Sequence, residues 1–258
     1  MSRPITRAST RLTAVRGFAT YMHALDAVHE VPPRGLFARP VHRGTPRIYT
    51  HAEIVSSVQA AGRLARGVRA QTYPVLFGLL AATGIRVGEA LALDRDEADL
   101  ADGVLTISRG KSGDPRLVPM HETTTAALTR YAVWRDERDP KPVGTDAPFF
   151  TDRAGDRLAY MNVRHAFVEA SAAAGLRTEA QSPTVHGLRR TFAVNTLLGW
   201  YRDGADVAAR MPLLSTYLGH TGPANTYWYL SAVTAATRNC PEAATKLPRS
   251  GSNRCPRA

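Results

Sequence analysis

Only two short runs in this chain read as β-strands. Val104–Ile107 and residues 116–118 are these runs, and a loop rich in Gly, Ser, Asp and Pro joins them. Asp102-Gly103 marks a turn just before the first run. Two short strands cannot make a large sheet, so the core must be built from packed helices. Helical spacing of apolar residues supports this. Residues 10–28 place Leu12, Val15, Phe18, Met22 and Leu25 on one stripe. Thr50 and Glu53 form a capping box that opens a helix running to about residue 66. An apolar helix over 71–83 stops at Gly84, and Arg86 opens a short helix that turns Val87, Ala90 and Leu91 inward. Further helices are expected over 122–135, 160–173 (stopping at Gly175), 184–200, 206–218 and 223–232, with Phe149-Phe150 as a short buried segment. Pro32, Pro33, Gly35 and Pro40 mark a linker after the first helix. The expected fold class is mostly α with a small antiparallel β-sheet, an α+β arrangement.

The 258 residues suffice for one large domain or two small ones. The formal net charge of +11 points to a polyanionic partner. That charge is uneven: residues 1–50 carry eight arginines against two acids, residues 231–258 five basic residues against one acid, and the middle is close to neutral. Arginine outnumbers lysine 30 to 3, which fits bidentate phosphate contacts but also a plain compositional bias. The two cysteines, Cys240 and Cys255, both lie in the last 19 residues, which excludes a disulfide framework for the body of the chain. No apolar run approaches membrane-spanning length and the N-terminus has no apolar signal core, so the expected location is cytoplasmic, with no membrane partner. The last 20 residues contain three prolines and no apolar period, and are expected to be disordered.

A few residues stand out for their chemistry. Arg86, in T-G-I-R-V-G-E, follows a helix break and can project a guanidinium, with Glu89 three residues on to brace it or to face water. Lys111, one of only three lysines, sits in the loop between the two strands, where a mobile ammonium suits a general acid or simply a soluble turn. His186 and Arg189, in H-G-L-R-R-T, lie three apart on one helix face near its N-terminus, where the dipole favours an anion. Arg190 is turned about 100° away from Arg189 on that helix. Gly219 allows a sharp turn that can aim His220 back into a cleft. Tyr227 and Tyr229 are two apart, so on a helix they face nearly opposite ways and only one can enter a site. Two arginines, a lysine and two histidines can surround one phosphodiester with donors while a tyrosine attacks it, and this chemistry needs no metal or cofactor.

The order and local context of these residues resemble the tyrosine recombinases, the phage-integrase family of DNA breaking and rejoining enzymes. The matching stretches are L-L-A-A-T-G-I-R-V-G-E-A-L-A-L, the strand pair around G-K-S-G-D-P-R-L-V-P, H-G-L-R-R-T-F-A-V-N-T-L-L, and Y-L-G-H followed by T-Y-W-Y-L, over about 50–232. The resemblance is strongest to integrases of mobile elements. It implies a breaking-rejoining catalytic fold in which Arg86 and Arg189 bind the scissile phosphate. His186 and His220 would hydrogen-bond it and assist proton transfer, Lys111 would protonate the 5′-hydroxyl leaving group, and Tyr229 would form a 3′-phosphotyrosyl link. Tyr229 rather than Tyr227 is implied because the family nucleophile commonly falls nine residues after the L-G-H histidine. Double-stranded DNA is the implied partner, with a homo-tetramer assembling on it. Gly187 and Arg190 depart from the H-D-L-R-H form that the second histidine motif often takes. The expected organisation is a remnant of an N-terminal helical DNA-clamp domain plus linker over 1–45, a catalytic domain over 46–232, and a basic tail over 233–258. Because that first segment is short for the family, N-terminal truncation is expected. A catalytically impaired DNA-binding remnant and a type IB topoisomerase-like enzyme are the alternatives.

Overall fold

The computed structural model describes residues 4–33, 47–108, 115–138, 147–177, 182–220, 226, 229 and 230. The chain divides into two compact units, Met1–Gly44 and Thr45–Ala258. In the first, helix α1 spans Pro4–Leu25 and so begins earlier than its apolar stripe suggests. Proline is compatible with a first helical turn, where its missing N–H is not needed. The helix ends three residues short of the expected position 28, because the Asp26 carboxylate accepts from the Val28 N–H (3.0 Å) and draws the chain into a turn. Arg16 donates to the carbonyls of Pro32 (2.9 Å) and Pro33 (2.6 Å), which folds the proline-rich stretch back along the helix. Val15, Phe18, Tyr21 and Leu25 are exposed on α1.

The second unit is helical apart from one small sheet. Helix α2 (His51–Leu64) starts at the Thr50 capping box: Thr50 Oγ1 accepts from the Glu53 N–H and the Glu53 carboxylate accepts from the Thr50 N–H. Helix α3 (Val68–Thr83) stops at Gly84, whose φ of 63° is left-handed and whose N–H returns to the Leu80 carbonyl. The short α4 (Val87–Ala92) follows at once. The strands are β1 (Ala98–Asp99), β2 (Val104–Ile107) and β3 (Arg116–Pro119), antiparallel in the order β1-β2-β3, with Val104 opposite Pro119 and Ile107 opposite Arg116. The two-residue β1 carries no alternation from which the sequence would mark it. Helices α5 (Glu122–Arg138), α6 (Tyr160–Ala173), α7 (Val185–Arg202) and α8 (Val207–Tyr217) complete the described elements. Of the expected helix over 223–232, residues 226, 229 and 230 are described and are helical. The expected tail over 233–258 lies outside the described residues.

The main core gathers around Leu76, Phe77 and Leu80 of α3, and Phe167 of α6 meets Phe77 edge to face at 5.1 Å between ring centres. Phe149 and Phe150, each 1% exposed, pack on Tyr131 of α5. A second cluster joins Val194 and Leu197 of α7 to Met211 and Leu214 of α8 and to Tyr229. Gly84 ties the two regions: a Cβ there would lie 2.4 Å from a Phe192 ring carbon on α7. Gly84→Ala therefore combines left-handed strain with overpacking, and is expected to lower stability by about 3 kcal/mol. Urea denaturation checks this, and a midpoint equal to that of the unmutated protein would contradict it.

Candidate active site

The end of α3 and the start of α4 place Arg86. Its backbone N–H donates to Glu89 Oε2 (2.9 Å) and its Nη1 donates to Glu89 Oε1 (2.7 Å). Glu89 is 4% exposed and does not face water. It also receives both terminal nitrogens of Arg116 from β3, Nη1 at 3.1 Å and Nη2 at 2.7 Å. Burial would raise the Glu89 pKa, but the hydrogen bonds from Arg116 and Arg86 outweigh it and hold the carboxyl below its usual range.

Helix α7 brings in His186 and Arg189. Its start is fixed by Thr184, whose Oγ1 accepts from the Gly187 N–H (3.2 Å). The Tyr49 hydroxyl accepts from the Thr184 N–H (2.9 Å) and donates to the Thr184 carbonyl (3.1 Å). The Tyr49 ring also explains Gly187, because a Cβ at that position would lie 2.6 Å from a ring carbon. An acidic side chain at 187 has no room while Tyr49 is there. Arg189 is 3% exposed and spans two helix ends: Nη1 donates to the Gly84 carbonyl (2.8 Å) after α3, and Nη2 to the Leu218 carbonyl (2.6 Å) after α8. Burial first, then the neighbouring Arg86, pushes its pKa down to about 10, against the opposing pull of Tyr229 and Glu89, so it is a cation at neutral pH.

The C-terminal end of α8 is where these groups meet. Three successive carbonyls accept from three guanidinium groups: Tyr217 from Arg116 Nε (2.8 Å), Leu218 from Arg189 and Gly219 from Arg86 Nη2 (2.6 Å). Helix C-termini carry partial negative charge, so they suit cations there. Gly219, with φ of 64°, turns the chain so that His220 follows directly. The His220 Nδ1 lies 2.7 Å from Thr226 Oγ1, and its ring stacks on the Tyr229 ring at 6.0 Å between centres. Tyr229 is 4% exposed.

Both histidines are depressed to about 4. For His220 the causes are burial and then Arg189, Arg86 and Arg116. For His186, which is more exposed than His220, they are desolvation and then Arg190, Arg189 and Arg86. At pH 7 both rings are neutral and able to take a proton. The unfolded chain protonates them near 6.5 and the folded chain only near 4. Their contribution to stability is therefore complete above about 6.5 and is lost as pH falls toward 4.

The structure thus brings Arg86, Arg189, His220 and Tyr229 together through direct contacts, with His186 within range of the same charges. Lys111 lies outside the described residues, as does Tyr227. Arg116, Glu89 and Thr226 belong to the cluster as well. Of these the sequence flagged only Glu89, by its spacing from Arg86.

Comparison with known proteins gives the family. The model of the phage integrase family matches residues 47–235, and the chain belongs to that family. The Sinorhizobium fredii protein y4rE, named for an integrase/recombinase role, is 38% identical over 225 residues, covering 86% of this chain and 72% of its own length. The tyrosine recombinase XerD of Caulobacter vibrioides is 32% identical, covering 86% of this chain and 69% of its own. Among solved structures, XerA recombinase superimposes with a TM-score of 0.59 at 25% identity, covering 81% of this chain and 66% of that one. The expected fold class, mostly α with a small antiparallel sheet, is that of the family. Neither the remnant nor the topoisomerase alternative is favoured by these relatives. No helix among the described residues is long and apolar enough to cross a membrane.

Proposed function

We propose that this chain is a site-specific recombinase that cuts and rejoins double-stranded DNA in the cytoplasm through a 3′-phosphotyrosyl intermediate. The observation that carries the reading is the meeting of Arg86, Arg189, His220 and Tyr229 around the end of α8, although they span 144 positions of sequence. In this reading Arg86 and Arg189 hold the non-bridging oxygens of one phosphate, where their fixed donors favour charge developing in the transition state. The Tyr229 oxygen forms a bond to phosphorus as the bond to the 5′-oxygen breaks. A neutral imidazole, His186 or His220, accepts the phenol proton, and Lys111 delivers a proton to the departing 5′-oxygen. A 5′-hydroxyl from another strand then attacks the phosphotyrosyl link and releases the tyrosine. Family resemblance adds a tetramer on DNA. The test is a duplex nicked just beyond the scissile phosphate, so that the short leaving strand diffuses away. The chain should form an SDS-resistant adduct with it, and absence of any adduct across a panel of mobile-element end sequences would count against the reading.

A proton balance gives a second check. A phosphate placed between two neutral imidazoles raises their pKa values. Duplex binding at pH 6 is therefore expected to take up protons, and affinity to rise as pH falls from 7 toward 5. Calorimetry in two buffers of different ionisation enthalpy measures the uptake, and identical heats in both would contradict it.

A further inference from the structure

We propose that Arg116 is a positioning residue of this site, one that fixes where Arg86 and the turn into His220 point. The proposal rests on the phosphodiester reading above and assigns a role to a residue outside the six reactive groups. Arg116 opens β3, and its side chain is 9% exposed. All three of its guanidinium nitrogens have protein acceptors: Nε on the Tyr217 carbonyl, and Nη1 and Nη2 side by side on the two oxygens of Glu89. With Nε and both Nη atoms on protein acceptors and a side chain 9% exposed, against 27% for Arg86, this fork is placed to hold other groups rather than to reach a phosphate.

What it holds follows from the shared acceptors. Each Glu89 oxygen accepts twice, Oε1 from the Nη1 atoms of Arg86 and Arg116, and Oε2 from the Arg86 N–H and Arg116 Nη2. Two oxygens offer about four lone-pair positions, so the carboxylate is fully used. Arg86 therefore cannot swing a second nitrogen onto Glu89, and its Nη2 stays on the Gly219 carbonyl. The Arg116 guanidinium also lies close against Gly219. A Cβ there would be 2.8 Å from Nη1 and 2.9 Å from Cζ. The residue just before His220 thus packs against Arg116 and is hydrogen-bonded by Arg86. Strand β3, helix α4 and the end of α8 meet in that one side chain.

The test compares Arg116→Lys and Gly219→Ala in the full chain. Lysine keeps the charge and most of the stem but loses the planar fork. A methyl group at 219 collides with the same fork and pushes it away. Near-ultraviolet circular dichroism identifies folded variants, and if one variant is lost the other carries the test. In Arg116→Lys, single-turnover adduct formation on saturating nicked duplex is expected to fall about 100-fold, the scale of a misplaced reacting group. Duplex affinity should stay within about threefold, a split between rate and binding that general loss of structure does not give. Binding of inorganic orthovanadate, followed by vanadium NMR, should weaken about tenfold, since the oxyanion's ligands are misaimed. The double variant should be no slower than the worse single one. An adduct rate within about threefold of the unmutated chain, or rate and affinity falling together, would overturn the proposal. If the unmutated chain forms no adduct, the functional reading fails, and vanadate alone judges Arg116. Equal vanadate affinity in Arg116→Lys and the unmutated chain, or no binding to either, would then overturn it.

Discussion

Tyr229→Phe is expected to eliminate the covalent protein–DNA adduct, a loss of at least about 10⁴-fold, because the ring stays and only the attacking oxygen goes. The stack on His220 and the place of Tyr229 in the α7–α8 cluster both depend on the ring, so the variant should fold and bind duplex like the parent. Tyr227→Phe should leave the adduct intact. Running both variants on the nicked duplex separates nucleophile from neighbour. An adduct that persists in Tyr229→Phe and disappears in Tyr227→Phe would reverse the assignment.

The second large effect distinguishes the two arginines. Arg86→Ala removes a donor whose side chain is 27% exposed, and leaves Glu89 still paired with Arg116 and the residue 86 backbone N–H. Cleavage is expected to slow by about 10³-fold, the usual scale for one preorganised donor, with a urea midpoint close to that of the parent. Arg189→Ala should slow cleavage at least as much, and should also lower stability by about 3 kcal/mol, because it strips the donors from the Gly84 and Leu218 carbonyls in a buried space. Equal stability losses in the two variants would show that the distinction between a part-buried ligand and a fully buried tie is wrong.

Much of the fold was legible because its signals are local. The Thr50–Glu53 capping box and the Gly84 stop need only residues within one helical turn, and both appear as read. The two longer strands of the sheet were legible from composition, whereas β1 was not, since two residues carry no period. The site was legible only in part. Arg86, His186, Arg189, His220 and Tyr229 stood out by type and order. Arg116 did not, because its partners Glu89 and Tyr217 lie 27 and 101 positions away and nothing near it in sequence signals a buried fork. Thr226, inside the expected helix over 223–232, carried no signal in sequence, and its hydroxyl lies against His220. The abundance of arginine also reads differently in three dimensions. Composition suggested a phosphate-binding surface or a coding bias, yet Arg157 donates to the carbonyls of Leu91, Ala92 and Leu93 at the end of α4, and Arg135 to that of Phe149. These cations are tied to backbone carbonyls, Arg135 in the buried core and Arg157 at its margin, which a net charge cannot reveal.

The contact between Tyr49 and Thr184 has a consequence for how such a chain can be remodelled. The first residues of the second unit close the start of the helix that bears His186 and Arg189, from 135 positions away. That unit thus carries its own seal. A segment grafted ahead of residue 47 does not have to supply this capping contact, so exchange of the preceding region leaves the contact intact. A junction placed a few residues later, past Tyr49, would remove the seal, leave Gly187 facing a void, and loosen the helix on which His186 and Arg189 stand.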